Sequence, residues 1–215
     1  MPSHYWADWD PTTFVPEILR RDTRIYWHPQ SSGTVGKCVG TFVGENPGSA
    51  ESIHGLGFSG YSEIVSGSPS TPGDPTLQVI LEVWQAAVKM HGLEPAVDDY
   101  IEILNTYYFR NSISGAALAA WIAMGGSGIY SPGPSATSAF VLLGWGIPPA
   151  SATLTGTAAS LIPSSSKVIV VSSSCAVTVT SGSGLGAGAP GSAMPSGILR
   201  RGLKTAYITA VAPHL

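Results

Sequence analysis

The sequence has little charge, few cysteines and no apolar run long enough to cross a membrane. Charged residues make up 11% of its 215 residues. This is less than half of the usual share, which argues against a coiled coil, a charged disordered tail or a strongly basic nucleic-acid clamp. The two cysteines, Cys38 and Cys175, are too few for a disulfide framework or a four-cysteine metal site. The longest apolar run, residues 113–124, is shorter than a bilayer requires.

The N-terminus also lacks the features of a secretory signal. Residues 1–8, MPSHYWAD, contain neither a basic stretch nor an apolar core. We therefore expect a cytoplasmic protein without a membrane segment, in which residues 1–215 form a single domain. Within that domain, about the first 35 residues are interpreted as an N-terminal extension.

Acidic residues are absent from the second half of the chain. All thirteen Asp and Glu residues lie at or before Glu102, where five basic residues leave a net charge of −8. The remaining 113 residues carry five basic residues and no acid. The asymmetry indicates either a poorly charged surface that arose by chance or a C-terminal half that faces a polyanion. In both cases, any catalytic carboxylate comes from the first 102 residues.

Apolar segments alternate along the chain with helical patterns. Asp74 and Pro75 begin a helix whose apolar residues recur at helical spacing until Gly92 ends it. Two more helices are predicted at 114–124 and 196–204, and buried strands are predicted at 38–43, 101–104, 140–143, 167–171 and 207–211. The alternation predicts an α/β fold, a three-layer sandwich around a central, mainly parallel sheet. Ligands of such folds bind at the carboxyl ends of the strands.

Motifs for three other chemistries are incomplete. Residues 186–191 match GxGxxG, but a dinucleotide site also needs an acidic residue about 20 positions later, and none follows Glu102. No GxSxG nucleophile turn occurs. The five histidines show no metal-binding spacing. The sequence therefore predicts no dinucleotide site, no serine-hydrolase site and no metal.

The first segment that can carry chemistry is the loop Gly44-Glu-Asn-Pro-Gly48, which follows the strand at 38–43. A loop rich in Gly and Pro directs backbone N–H groups and a short polar side chain into a cleft. Asn46 is suited to hold a water molecule, and Phe58, further along, to supply a flat apolar wall. The alternative is a tight strand-to-helix turn in which Asn46 serves the turn geometry.

Two later segments have similar features. Asn105 ends the strand at 101–104, where its amide offers one donor and one acceptor to a hydrogen-bonding edge. The alternative is an asparagine that serves a turn at the strand end. Residues 194–201, MPSGILRR, form a predicted turn that opens a helix and ends in paired arginines. Here the alternative is a helix N-terminus that Ser196 caps.

Together these segments resemble the motifs of the uracil-DNA glycosylase superfamily, in particular its family with the GEAPG motif. The residues in register with that family's first motif are Gly44, Glu45, Pro47, Gly48, Glu51, Gly55, Phe58 and Gly60. Asn46 replaces the family's alanine and matches the GINPG loop of the mismatch-specific branch. Leu104-Asn105 resembles the family's Thr-Asn pair, and residues 194–200 resemble its closing HPSxxLR and the branch's NPSG. The similarity extends in the right order from about residue 38 to about residue 204.

The resemblance implies an enzyme of base excision repair that acts on DNA containing uracil or a related deaminated base. Such enzymes flip the base out of the duplex, stack it on an aromatic ring and read its Watson–Crick edge. The catalytic residues implied are Asn46, which would orient the attacking water, and Glu45 beside it. The implied base-binding residues are Gly44, Pro47, Gly48, Phe58, Asn105 and Met194. Those implied to contact DNA are Pro195, Ser196, Gly197, Arg200 and Arg201.

Two departures from the family change what is expected. Met194 stands where the family has His or Asn, and its side chain cannot donate a hydrogen bond to the leaving base. Loss of one such donor typically costs about 3 kcal/mol, or about a hundredfold in rate. The family's four iron–sulfur cysteines are missing, so no cluster and no other cofactor is expected. A nucleobase- or nucleotide-binding member without catalysis, and an unrelated α/β protein with convergent loops, remain alternatives.

Overall fold

The computed structural model of the chain describes 3–14, 17–45, 48–65, 74–105, 114–123, 134–146, 162–185, 192, 198 and 202–215. Within these residues it contains nine strands, three α-helices and two short 3-10 turns. The strands are β1 Ser3–Phe14, β2 Glu17–Gln30, β3 Cys38–Gly44, β4 Glu51–Ser52, β5 Gly60–Val65, β6 Tyr100–Asn105, β7 Val141–Gly144, β8 Lys167–Val171 and β9 Val177–Ser181. The helices are α1 Pro75–His91, α2 Ser114–Ala123 and α3 Lys204–Val211, and the 3-10 turns are Gly182–Leu185 and Ala212–His214.

The strands form one mixed sheet in the order β4-β5-β1-β2-β6-β3-β7-β8-β9. Only β6–β3, β3–β7 and β7–β8 pair in parallel, and the other neighbours are antiparallel. The α/β class is confirmed, but the expectation of a mainly parallel sheet is wrong for the sheet as a whole. The cause is the N-terminal hairpin of β1 and β2, which inserts two long antiparallel strands beside β6. Most of the segment interpreted as an N-terminal extension is therefore part of the sheet.

The parallel strands of the sheet have a doubly wound order. Read across the sheet, β6, β3, β7 and β8 are the second, first, third and fourth of these strands in the chain. After β3 the chain forms β6 on one side of β3. It then crosses back and forms β7 on the other side of β3. This reversal places a topological switch point at the carboxyl ends of β3 and β7, which is where ligands bind in open α/β sheets.

One hydrophobic cluster joins α1 and α3 to one face of the sheet. Asp74 caps α1 because its Oδ1 accepts a hydrogen bond from Thr76 N at 2.7 Å, and Gly92 ends the helix with φ of 61°. Both ends of α1 are as predicted. Tyr207 and Val211 of α3 are fully buried in the same cluster. The strand predicted at 207–211 is therefore wrong, since these apolar residues lie four positions apart on one side of a helix.

The helix predicted at 196–204 does not extend to residue 204 as one continuous helix. Gly202 has φ of 68° and Leu203 precedes α3, so neither continues a helix from residue 198. Most of that predicted helix lies outside the described residues. The opposite face of the parallel strands carries a second cluster, which includes Val43, Leu143, Trp145 and Val168. The strands β3 and β7 therefore bury apolar side chains on both faces.

Asp10 near the end of β1 gives the hairpin a stability that depends on pH. Hydrogen bonds from the Thr13 hydroxyl, and from Thr12 through its backbone N–H and hydroxyl, hold the pKa of this buried carboxyl far below its ordinary value. A carboxyl whose pKa is lowered in the folded state stabilises the fold above its unfolded-state pKa, and this contribution is lost as pH falls. Asp10→Asn is expected to lower the free energy of unfolding by about 1–2 kcal/mol at pH 7.

The difference between the wild type and Asp10→Asn should shrink as pH falls below about 4, where the carboxyl of the unfolded chain protonates. Urea denaturation across this pH range measures it. Glu94→Gln, at an exposed carboxylate, is the control and should change stability little at any pH. A difference that stays constant from pH 7 to pH 3 would contradict this account of Asp10.

Candidate functional site

The carboxyl ends of β3 and β6 lie side by side. Gly44 pairs with Asn105 on β6 and with Gly144 on β7. A Cβ atom on Gly44 would lie 3.0 Å from Asn105 Oδ1 and 3.1 Å from Phe42 Cε1. The glycine therefore lets the Asn105 amide lie against the β3 backbone. Asn105 is buried, on the same face as Phe42, which is the face that α1 covers.

The described ends of the motif loop, Glu45 and Gly48, lie next to β3 and next to the cap of α1. Glu45 leaves β3 and is only 6% exposed. Gly48 has φ of 73°, and a Cβ atom there would lie 3.2 Å from Asp74 Oδ2 at the cap of α1. Asn46 and Pro47 lie outside the described residues, so their predicted roles stay predictions. Of the described residues of the loop, Glu45 therefore lies at the end of β3 and Gly48 lies against the cap of α1.

Gly48 is expected to be required for stability. An alanine at φ of 73° is strained, and its Cβ would press on the Asp74 carboxylate. Gly48→Ala should therefore lower the free energy of unfolding by about 1–2 kcal/mol in urea denaturation. The matched control is Gly57→Ala, where a Cβ atom would meet no heavy atom within 4 Å. Equal effects of the two substitutions would contradict the strained conformation at Gly48.

A buried arginine that the sequence analysis did not single out lies on the same face. Trp6 pairs with Arg24 and Asp8 pairs with Arg21, so β2 contains one residue more than β1 over this interval. This is a β-bulge, and Asp22 within it has φ of 41°. The bulge brings Arg20 into register with Trp9, which packs in the cluster under α1.

Arg20 is only 2% exposed, and its Nη1 lies 3.9 Å from Asp74 Oδ2. Nothing in the run Arg20-Arg21-Asp22 indicates which arginine turns inward, because the direction is set by the position of the bulge. Arg20 and Asp74 therefore form an ion pair at the cap of α1, while the buried Glu45 lies at the end of β3.

The burial of this face shifts the pKa of an ionisable side chain on it. Burial, and to a smaller extent the nearby carboxylates of Glu82 and Asp74, raise the pKa of Tyr5 to about 12. Charges act more strongly here than in water because the surroundings are poorly polarisable. The buried polar groups of this region are the Asn105 amide at the end of β6, the Glu45 carboxylate at the end of β3 and the Arg20 guanidinium at the cap of α1. An amide carries both a donor and an acceptor, which is the chemistry that a planar hydrogen-bonding edge needs.

Phe58 lies on another part of the sheet. Its ring is 4.7 Å from the ring of His54, at an interplanar angle of 36°, and it packs against the first hydrophobic cluster. It precedes β5, which β1, β2 and β6 separate from β3 in the sheet order. Strand pairing therefore places Gly44 beside Asn105, but it does not place Phe58 beside either of them.

Ser192, two residues before the third motif segment, lies at the carboxyl ends of β7 and β8. Residues 193–197 and 199–201, which include Met194, Pro195, Ser196, Gly197, Arg200 and Arg201, lie outside the described residues. Ser192, just before them, is fully buried and forms a bridge with Gly146. Its hydroxyl donates to Leu143 O at 2.7 Å and accepts from Val171 N at 3.0 Å. The chain is therefore held at the carboxyl ends of β7 and β8 two residues before Met194.

A second polar cluster lies near the other end of β3. Glu102 Oε1 accepts hydrogen bonds from Thr41 Oγ1 and Ser135 N, both at 2.6 Å. Burial raises the pKa of the neighbouring Cys38 thiol to about 11, and the charge of Glu102 acts in the same direction. A thiol with a raised pKa is a poor nucleophile at neutral pH. This cluster is interpreted as structural, since Glu102 serves to join β3 to the segment before β7.

Comparisons with protein-family models, with curated proteins and with solved structures gave no match. In the described part of the chain, no three or more His, Cys, Asp and Glu side chains are grouped so as to hold a metal ion. No helix of that part is long and apolar enough to cross a membrane.

Proposed function

We propose that this protein is a DNA glycosylase that hydrolyses the N-glycosidic bond of uracil or a related deaminated base in DNA. The observation that carries the proposal is that Gly44, Asn105 and Ser192, which start or precede the three motif segments, lie at the carboxyl ends of neighbouring strands. Gly44 ends β3, Asn105 ends β6, and Ser192, two residues before the third segment, is hydrogen-bonded to the ends of β7 and β8. In this proposal the fold is a three-layer α/β sandwich of the uracil-DNA glycosylase type.

Base recognition is assigned to Asn105 at the carboxyl end of β6 and to the loop after β3. The Asn105 amide pairs with a flipped base, because one donor and one acceptor match a uracil edge. Backbone N–H groups of Gly44 and Gly48 and the ring of Pro47 border the base. Phe58 is proposed to stack on it, and Met194 provides an apolar contact in place of the family's donor.

The reaction proposed is hydrolysis without a cofactor. The C1′–N1 bond breaks and its electron pair leaves on the base, while the oxygen of a water molecule bonds to C1′. The proton that this water loses ends on the base anion, so an abasic sugar and a neutral base are formed. Asn46 orients the water and the carboxylate of Glu45 beside it favours the developing positive charge on the sugar.

DNA contacts are assigned to the C-terminal half. Pro195, Ser196 and Gly197 approach the backbone, and Arg200 and Arg201 neutralise phosphates. The absence of acid after Glu102 supports this assignment, because acidic side chains would repel the polyanion. The proposed setting is base excision repair in the cytoplasm, with DNA as partner.

A second candidate function is a nucleobase-binding protein of the same fold without catalysis. One observation favours it: Met194 cannot donate a hydrogen bond to the leaving base. Such a protein would bind a free base or abasic DNA and release nothing.

A base-release assay separates the two candidates. Single- and double-stranded oligonucleotides carrying uracil, hypoxanthine or xanthine are incubated with the wild type, Asn46→Ala and Met194→His. Release by the wild type that falls at least about a hundredfold in Asn46→Ala supports the glycosylase and its assigned water-orienting residue. Release only by Met194→His supports the binding protein and identifies the missing donor. Release by neither, next to an active glycosylase as control, would overturn the enzymatic proposal.

A further inference from the structure

We propose that two copies of this chain pair through β9 in an antiparallel register centred on Val179, which joins their two sheets into one continuous sheet. This inference does not depend on the proposed glycosylase function. It is carried by the position of β9 in the strand order, by the direction of its backbone groups and by the match of its sequence to itself.

The two ends of the sheet differ in how their edges are protected. At one end, β4 has two residues and begins with the charged Glu51. At the other end, β9 has five residues, none of them charged and none a proline, and it pairs with β8 without a bulge. No described strand pairs with its outer side. Because short strands, charges, prolines and bulges are what prevents edge pairing, β9 is the edge that is open to another strand.

Alternate residues of β9 direct their backbone groups away from β8. Just beyond the two strands, Ser172 N donates to Ala176 O at 2.8 Å, and Gly182 N donates to Ser166 O at 3.0 Å. Both pairs continue the register of β8 with β9, in which hydrogen-bonded and non-hydrogen-bonded pairs alternate. The second and fourth residues of β9 therefore bond to β8, and the other three direct their N–H and C=O groups to the outer edge. These three residues are Val177, Val179 and Ser181.

The sequence of β9 matches itself when a second copy runs antiparallel to it. With Val179 opposite Val179 of the other copy, Val177 lies opposite Ser181 and Thr178 lies opposite Thr180. The outward-directed residues then face one another, so each of these pairs exchanges both of its hydrogen bonds. Pairs of threonine are favourable across strands, and no like charges meet. Such a self-complementary contact is typical of a closed two-fold dimer.

The side chains around this edge also suit a second copy. Val177 packs against the first hydrophobic cluster, and Val179, two residues further along the same face of the strand, is 43% exposed. Pairing places the two Val179 side chains side by side and removes apolar surface from water. Lys167, the charged residue of β8, pairs with Ser181 at one end of β9. The lysines of the two copies therefore lie at opposite ends of the contact and do not repel each other closely.

Charge substitutions at Val179 test the symmetric register. Val179→Lys and Val179→Glu each place like charges opposite one another, so each alone should raise the dimer dissociation constant at least about tenfold. An equimolar mixture of the two variants should form a heterodimer, because opposite charges then meet. Analytical ultracentrifugation from micromolar to millimolar protein measures the association. The matched controls are Val97→Lys and Val97→Glu, at a 64% exposed valine before β6, and both should dimerise like the wild type.

A proline at the same position tests the hydrogen bonds themselves. Val179→Pro removes an N–H that points to the outer edge, so the ladder between β9 and β8 keeps its bonds. We expect this variant to unfold at nearly the wild-type temperature and to stay monomeric where the wild type is dimeric.

A wild type that stays monomeric at all concentrations would overturn the proposal, and so would a dimer that neither the charge variants nor Val179→Pro weaken. Lys and Glu variants that remain monomeric when mixed would overturn the register centred on Val179 and indicate a different strand as the occupant of this edge. Thermal unfolding shows whether each variant is folded. If Val179→Pro is unfolded, the mixture of the two charge variants decides the question.

Discussion

Replacing Asn105 by alanine is expected to lower the rate of base release at least about a hundredfold while the protein stays folded. The amide is buried against Gly44, with its Oδ1 3.0 Å from where a Cβ of residue 44 would lie. Without it, the edge of a flipped base enters a buried site and loses its hydrogen-bonding partner, which costs more than the loss of an exposed contact. Single-turnover release from a uracil oligonucleotide measures the effect.

The control for Asn105→Ala is Gln30→Ala. Gln30 also carries an amide, whose Nε2 donates to Val97 O at 2.8 Å, but it lies at the far end of β2. Its loss should leave base release unchanged. Full activity of Asn105→Ala, with its fold intact by circular dichroism, would remove Asn105 from the proposed site.

Replacing Trp145 by alanine is expected to lower the free energy of unfolding by about 3–5 kcal/mol, a large part of the stability of a domain of this size. Trp145 follows β7 and is 0% exposed, packed in the second hydrophobic cluster beside Leu143 and Val168. Removal of its ring leaves a cavity that the strands around it cannot fill.

Urea denaturation followed by circular dichroism measures this loss. The control is Val97→Ala, since Val97 is 64% exposed and its truncation removes little buried surface. A loss below about 1 kcal/mol for Trp145→Ala would contradict the burial of this side chain and the second cluster with it.

The elements that the sequence predicted correctly carry strong local signals. The helix α1 has a capping aspartate, a proline in its first turn and a glycine at its end, and each signal acts within a few residues. The strands β3, β6 and β8 are short apolar runs, which are typical of buried parallel strands. These signals also located the carboxyl ends at which Gly44 and Asn105 meet.

The N-terminal hairpin carries a weaker signal. The strands β1 and β2 mix apolar with polar or charged side chains in an irregular order, as in Ile18-Leu19-Arg20-Arg21. No continuous apolar run marks them, and their pairing with β5 and β6 depends on residues far along the chain. The regular alternation that would predict half-buried strands is also missing, and prolines at positions 11 and 16 break the segment further.

Arg20 shows a second reason why part of this region could not be predicted from the sequence. Its type and position are visible in the sequence, but its direction is set by the single extra residue in β2 near Asp22. A shift of one residue moves a side chain from one face of a strand to the other. The spacing between Arg20 and Arg24 alone would have placed both on the same face, whereas only Arg20 faces the cap of α1.

The central claim is that the adjacent carboxyl ends of β3 and β6 bind a nucleobase. The most direct measurement is a titration of the nitrogen-15-labelled protein with free uracil, followed by the backbone and side-chain amide signals in two-dimensional NMR. We expect shifts of the Gly44 backbone amide and of the Asn105 side-chain amide, with no shift at Gly92 on the far end of α1. Shifts confined to other parts of the protein, or no shifts at saturating uracil, would contradict the claim for glycosylase and binding protein alike.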